Sequence, residues 1–358
     1  MLYWHTMQGR SWVWRAIAVM TALAGPALGG EPRAALQAAC WVPSALVAKL
    51  GENIPQRRQR PIVFRAPDAA LASLAQAQTA GGGLGVVRRV ALPAGEKLLA
   101  LTFDLCETAG ETAGYDGAII DYLRANRVKA TLFAGGQWLI SHKERAQQLL
   151  SDPLFEIGTH GWVHRNTRLL SGGELRREIL APSLAFASLR SELKNAQCAV
   201  KEEAAFSAIP ERPTLLRFAF GACNGEGLQV AAEAGMIAVQ WNVATGDPSP
   251  NRPARAIADT MIRSARPGSI IVAHANGRGY HTAEALPLAI PVLRARGFAF
   301  VTVSELMAAG RPVLAETCYD SHPGDTDKYD TLFAHRPTAS PASEPAQPHV
   351  RAAPTLPQ

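Results

Sequence analysis

From Leu98 onward the chain alternates short, almost wholly apolar runs with longer amphipathic ones, and several of the apolar runs end on a polar residue. That alternation limits the fold more than any other feature. The run Leu98–Phe103 predicts a buried strand leading into Asp104, and Asp116–Asn126 predicts a helix with Ile119, Ile120 and Leu123 at helical spacing. A strand at Val128–Phe133, a helix at Gln137–Leu150 and a strand at Phe155–Gly158 follow. Next comes a long helix at Gly173–Leu193, with Ser171 as its cap and Glu174 three residues on. Further strands are predicted at Leu215–Phe218, Ile237–Trp241, Ser269–Ala273 and Phe298–Val303. Helices at Leu228–Glu233, Arg255–Ala265 and Thr282–Arg296 separate or follow them. Repeated strand–helix units predict an α/β fold with a parallel sheet, closed or nearly closed into a (β/α) barrel.

With 358 residues, 47% hydrophobic and 18% charged, the chain suits one barrel with extensions and excludes global disorder. Residues 1–30 read as an export signal. Arg10 and Arg15 precede the apolar run Ala16–Ala24, and Ala27-Leu28-Gly29 offers a small-residue cleavage site. The expected destination is the bacterial periplasm, with membrane contact only through this signal or an uncleaved anchor. Residues 31–97, rich in Ala, Pro and Arg and broken by Gly81-Gly82-Gly83, read as an N-terminal extension that packs loosely. The main domain is expected at 98–310 and a C-terminal extension at 311–335. A Pro- and Ala-rich tail at 336–358 is expected to be disordered. The net charge of +6 is spread along the chain, with only Arg57, Arg58 and Arg60 clustered, which predicts a solvated basic face and no nucleic-acid partner. Five cysteines (40, 106, 198, 223 and 318) suit an oxidising compartment, and the odd number leaves a free thiol or an intermolecular bond. Cys106 and Cys223 each follow a candidate strand end, so a bond between them is one possible pairing.

The polar residues at strand ends carry the chemistry. In a parallel barrel these ends share one mouth, which predicts that Asp104, His160, Arg217, Asp247 and His274 converge. Five such groups are costly to bury without partners. His160 and His164, four residues apart in THGWVH, have a spacing that lets two imidazoles converge on one metal ion. A metal-assisted hydrolase gives each of these residues a role. Trp162, Phe220 and Trp241 read as barrel packing rather than sugar platforms, and Asn276 and His281 fall in the loop after the last motif.

In order along the chain, TFDLCE, THGWVH, RFAFG, WNVATGDP and SIIVAHA resemble the five motifs of the polysaccharide deacetylase (NodB homology) family, carbohydrate esterase family 4. The resemblance runs from Leu98 to about Leu306. It implies a distorted (β/α) barrel and removal of acetyl groups from chitin oligomers, peptidoglycan, exopolysaccharides or xylan, usually with zinc or a similar divalent ion. It further implies His160 and His164 as metal ligands, Asp104 as general base, and Arg217 as the partner that keeps Asp104 ionised. His274 is the implied general acid, aimed by Asp247, and the backbone N–H of Phe220 the oxyanion donor. The chain departs from the family pattern at several positions. Leu105 stands where the family has a second Asp as third ligand, which leaves Glu107, Cys106 or solvent to complete the site, Glu107 being slightly favoured. Gly161 replaces the hydroxyl residue after the first His, Phe218-Ala219-Phe220 replaces Pro-Pro-Tyr, and Pro248 replaces a Trp. Two other functions stay open: a catalytically silent carbohydrate-binding barrel, and a deacylase acting on a different amide.

Overall fold

The computed structural model describes residues 32–60, 62, 68–75 and 85–334. The expected export signal, the Gly81–Gly83 break and the tail from 336 lie outside the described residues. The core is an eight-stranded parallel sheet curled into a distorted barrel. In chain order the strands that matter are β1 (Val86–Ala91), β2 (Leu98–Leu105), β3 (Ala130–Ala134), β4 (Phe155–Thr159), β5 (Leu215–Leu216), β6 (Ile237–Ala238), β7 (Val243–Ala244), β8 (Ile270–His274), β9 (Ala299–Val301) and β10 (Arg311–Ala315). Seven of them run side by side in the order β6-β5-β4-β3-β2-β8-β7, and β9 pairs with the first half of β2. Nearly every residue of β2 and β3 is buried, as expected where both faces of a parallel sheet are covered.

Two registers set the site. On β2 and β8, Asp104 pairs with His274, and on β2 and β3, Leu105 pairs with Ala134. The helices Gly117–Ala125, Gly172–Lys194, Ala254–Ser264 and Thr282–Ala295 bury their apolar faces in the barrel's outer layer. The predicted helix over 137–150 is two, Gly136–Ser141 and Lys143–Ser151, joined at His142. There the His142 ring stacks on Trp138 at 4.7 Å, and the Ser141 hydroxyl lies within bonding reach of the Gln137 and Trp138 carbonyls. The Ser171 side chain makes no cap hydrogen bond. Glu174 instead pairs with Arg165 at 3.0 Å, while a capping box forms between Thr302 and Glu305.

The segment expected to pack loosely is bound into the fold. Leu36 of the helix Pro32–Cys40 is completely buried, and Cys40 is disulfide-bonded to Cys198. In β1, Val86, Val87 and Val90 are buried. Val87 bridges Val239 in parallel and Arg89 bridges Ser269 in antiparallel fashion, so β1 touches the segment after β6 and the segment leading into β8. β10 pairs antiparallel with β1. The second disulfide joins Cys223 to Cys318, so Cys106 and Cys223 are not partners and Cys106 is a buried free thiol. Among the described residues no helix is long and apolar enough to cross a membrane.

Candidate active site

Asp104, one residue from the end of β2, is almost completely buried. Its Oδ1 accepts a 2.8 Å hydrogen bond from Nη1 of Arg217, which follows β5. The guanidinium is held on all sides. Nη1 also donates to Thr102 Oγ1 at 2.8 Å, Nε to the Val239 carbonyl at 3.3 Å and Nη2 to the Gln240 carbonyl at 3.2 Å. Its carbon lies 4.0 Å from the centre of the Phe133 ring. Burial works to raise the Asp104 pKa, but the charge of Arg217, with smaller help from His160 and His274, brings it below the usual carboxylate value. The pair is therefore ionised.

His160 follows β4, and its Nδ1 lies 2.9 Å from the carbonyl oxygen of Arg217. A carbonyl only accepts, so Nδ1 carries the proton and Nε2 presents a lone pair. Burial lowers the His160 pKa, which keeps the ring neutral. Nε2 is buried, has no hydrogen-bond partner, and stands 3.5 Å from Asp104 Oδ2. Two acceptors facing each other in a buried site call for a proton or a cation between or beside them. The His164 ring centre is 5.0 Å from that of His160, and Cys106 Sγ completes a group whose ligand atoms all lie within 4.8 Å of one another. Burial and the neighbouring His160 push the His164 pKa well below its ordinary value, so this imidazole is a neutral donor too. The donor set fits a divalent ion of zinc type.

Glu107, expected as the third ligand, has its carboxylate engaged by other residues. Glu107 is buried with Oε1 2.5 Å from Arg58 Nη2, while Oε2 accepts from the Ala113 N–H at 3.0 Å and the Ser141 hydroxyl at 2.7 Å. Arg58, from the N-terminal extension, takes up this carboxylate and keeps it out of the His160–His164 cluster. Leu105 is completely buried in the main apolar core.

His274 ends β8. Its backbone N–H donates to Asp247 Oδ2 at 2.7 Å, and its Nδ1 lies 3.0 Å from Asp247 Oδ1. Thr282 donates to the same carboxylate at 2.8 Å. Burial alone would lower the His274 pKa, but the Asp247 carboxylate reverses this and raises it above the ordinary imidazole value. The ring is thus fixed through Nδ1 and biased toward its protonated form, with Nε2 as the nitrogen outside that contact.

Phe220 has the left-handed backbone φ of 60°, uncommon for a side-chain-bearing residue, and its ring packs 4.2 Å from that of His164. On its other side it meets Tyr329 and Phe333 of the helix Lys328–Ala334. Trp241 is buried and donates to Asp320 at 2.8 Å, and Trp162 packs between two apolar clusters, in keeping with packing roles.

Sequence reasoning missed two residues that shape this site. Glu178, in the helix Gly172–Lys194, accepts from the N–H groups of Val163 and Arg165 and so pins the loop between the two histidines. Gly161 has φ +73°, and a Cβ there would meet Glu178 Oε1 at 2.6 Å, so the hydroxyl residue of the family pattern would need Glu178 to shift. Asn276, in the loop after the last motif, donates to both the Sγ and the carbonyl of Cys106, at 3.0 and 2.7 Å.

Residues 91–239 match the family model described as Polysaccharide deacetylase. The chain is 29% identical over 210 residues to the peptidoglycan-N-acetylglucosamine deacetylase PgdA of Listeria monocytogenes, an alignment that covers 59% of this chain but spans only 39% of that protein. It is 29% identical over 219 residues to a peptidoglycan-N-acetylglucosamine deacetylase of Bacillus cereus, covering 60% of this chain and 91% of that one. The crystal structure of the Bc1960 peptidoglycan N-acetylglucosamine deacetylase shares the fold, with a TM-score of 0.51, 24% identity, and coverage of 62% of this chain and 93% of that chain.

Proposed function

We propose, because this chain belongs to the polysaccharide deacetylase family, that it is a metal-dependent hydrolase removing N-acetyl groups from an amino-sugar polysaccharide or oligosaccharide. Chitooligosaccharide, peptidoglycan and exopolysaccharide are the candidate substrates. The observation that carries this reading is the orphaned, buried Nε2 of His160 beside the ionised Asp104, with a second neutral imidazole next to it.

His160 and His164 would hold the ion, which when bound polarises an amide carbonyl and acidifies water. Asp104 takes the proton from the attacking water, and Arg217 holds its carboxylate ionised and aimed. The Phe220 N–H, set by its left-handed turn, is the donor for negative charge growing on the carbonyl oxygen. An amine leaves only once protonated, and His274 supplies that proton from Nε2 while Asp247 steadies Nδ1. The two disulfides, Cys40–Cys198 and Cys223–Cys318, favour work in an oxidising compartment, the periplasm in our reading.

The test is acetate release from N-acetylated chitooligosaccharide and from peptidoglycan, comparing wild type with Asp104→Asn and His160→Ala. Losses of about 10²–10⁴-fold are expected for Asp104→Asn, the usual contribution of a general base. Release unchanged by both substitutions contradicts the assignment. Leu105, core-buried where the family has a carboxylate, favours one other reading, a silent carbohydrate-binding barrel. Sugar binding by a wild-type protein that releases no acetate from either substrate is the mark of that alternative. Release from a non-sugar amide alone marks a deacylase of different substrate.

A further inference from the structure

The geometry points to Cys106 as the third metal ligand, so that the centre is a thiolate with two imidazoles where the family pattern supplies a carboxylate. This rests on the reading of the barrel mouth as a metal centre, and it fixes what kind of centre it is. The two carboxylate routes are closed. Residue 105, the family's ligand position, is a leucine packed in the core, and Glu107 spends both oxygens on Arg58, Ala113 and Ser141. Between them, Cys106 Sγ falls in the one cluster of ligand atoms found among the described residues, within 4.8 Å of the ring nitrogens of His160 and His164. His160, whose Nε2 is buried and unpartnered, belongs to the same cluster, which makes the thiol one member of a built site.

Cysteine pairing supports the assignment. Four of the five cysteines are joined in two disulfides, and Cys106 is left as a reduced, buried thiol. Asn276 holds the sulfur in place: its side-chain amide donates to Sγ at 3.0 Å and to the Cys106 carbonyl at 2.7 Å. On binding, the Cys106 S–H bond breaks, the proton leaves to solvent, and the sulfur lone pair forms the bond to the cation. No electrons are exchanged. A soft thiolate with two imidazoles selects zinc or cobalt over magnesium, calcium and manganese, which prefer oxygen donors.

The experiment is titration of the full-length, disulfide-intact protein, stripped by chelator, with cobalt(II) and then zinc(II) salts. Because the two disulfides leave Cys106 as the sole free thiol, a thiolate-to-cobalt charge-transfer band in the near ultraviolet reports on this residue alone. The expected result is such a band, saturating at equimolar cobalt and displaced by zinc. Cys106→Asp should bind cobalt without the band, and Cys106→Ala should lose more than about 100-fold in zinc affinity, beyond the range for an outer partner. Asn276→Ala should keep the band but weaken affinity about 10- to 100-fold. Stoichiometric cobalt without a thiolate band, or wild-type zinc affinity in Cys106→Ala, overturns the thiolate ligand and leaves the two-imidazole hydrolase standing. A protein that binds neither ion overturns it as well. A clear band in a protein that releases no acetate keeps the ligand and removes the hydrolase. The wild-type spectrum needs no variant, so a misfolded substitution does not blunt the test.

Discussion

Asp104 and His274 are register partners on adjacent parallel strands, side by side at the carboxyl ends of β2 and β8. One is an anion clamped by Arg217, the other an imidazole clamped by Asp247. Their surroundings push them in opposite directions. Asp104 is held below its ordinary value despite burial, and His274 above its own. Asp104 is thus biased toward its ionised form and His274 toward its protonated form on neighbouring strands, the pairing that the proposed amide hydrolysis calls for.

The pH profile follows from those directions. Activity is expected to rise as pH climbs through the depressed pKa of Asp104 and to fall as pH climbs through the raised pKa of His274, because the acid must keep its proton. Asp247→Asn removes the charge that raises His274. The alkaline limb should then move to lower pH, with kcat reduced by at least about tenfold. A kcat–pH profile of both proteins checks this. An alkaline limb unmoved by Asp247→Asn contradicts the assignment of His274 as acid.

Arg217 is completely buried against Asp104, so its removal strands a charge in the interior. Arg217→Ala should cost about 3–5 kcal/mol in stability, measured by urea unfolding, and abolish acetate release. Arg217→Met, which also removes the charge, should not restore activity even where it folds.

Glu178 sets the loop that carries both histidines. Burial pushes its carboxyl pKa up to about 7 from 4.5, against the pull of the Arg165 and Val163 N–H groups. A carboxyl raised in the folded state binds its proton more tightly there than when unfolded. Its contribution to stability is therefore fully present below the unfolded value of 4.5 and lost as pH rises through about 7. The stability of wild type relative to Glu178→Gln should fall by about 3 kcal/mol across that window, readable from denaturation midpoints in buffers spanning it. A flat difference across that pH range would exclude a raised Glu178.

Gly161→Ala confronts the same carboxylate. The left-handed backbone costs a side chain about 1–2 kcal/mol, and the new Cβ meets Glu178 Oε1 at 2.6 Å. The expected outcome is a lower Tm together with weaker zinc binding, since the displaced loop carries His164. Unchanged zinc affinity would mean that the loop tolerates the shift without moving its ligand.

The Cys223–Cys318 bond ties the turn after Phe220 to the segment leading into the helix of Tyr329 and Phe333, which pack on Phe220. Replacing both cysteines by alanine should lower stability by about 2–5 kcal/mol, measured by thermal unfolding. It should also raise KM more than the Cys40–Cys198 double replacement does. Equal effects from the two pairs would separate the clasp from the site.

Much of this was legible because strand ends in a parallel sheet have a fixed meaning. Asp104, His160, Arg217, Asp247 and His274 were placed by reading where apolar runs stop, and the structure brings their side chains together. Sequence shows how far Glu107 is from Asp104 but not that Arg58, from a distant segment, takes up its carboxylate. The extension was read as loose because its composition is that of a linker, while the three buried valines of β1 form a pattern too short to stand out. Likewise the short strand β7 carries too few residues to give a periodic signal. Glu178 and Asn276 act across the fold on residues remote in the chain, and no local spacing announces such contacts.

The central claim is tested most directly by acetate release from an N-acetylated glycan by the purified protein, before and after chelation and after zinc is restored. The account predicts release that chelation abolishes, that zinc recovers, and that His160→Ala lacks in both states. Release that survives thorough chelation, or that His160→Ala leaves intact, contradicts it.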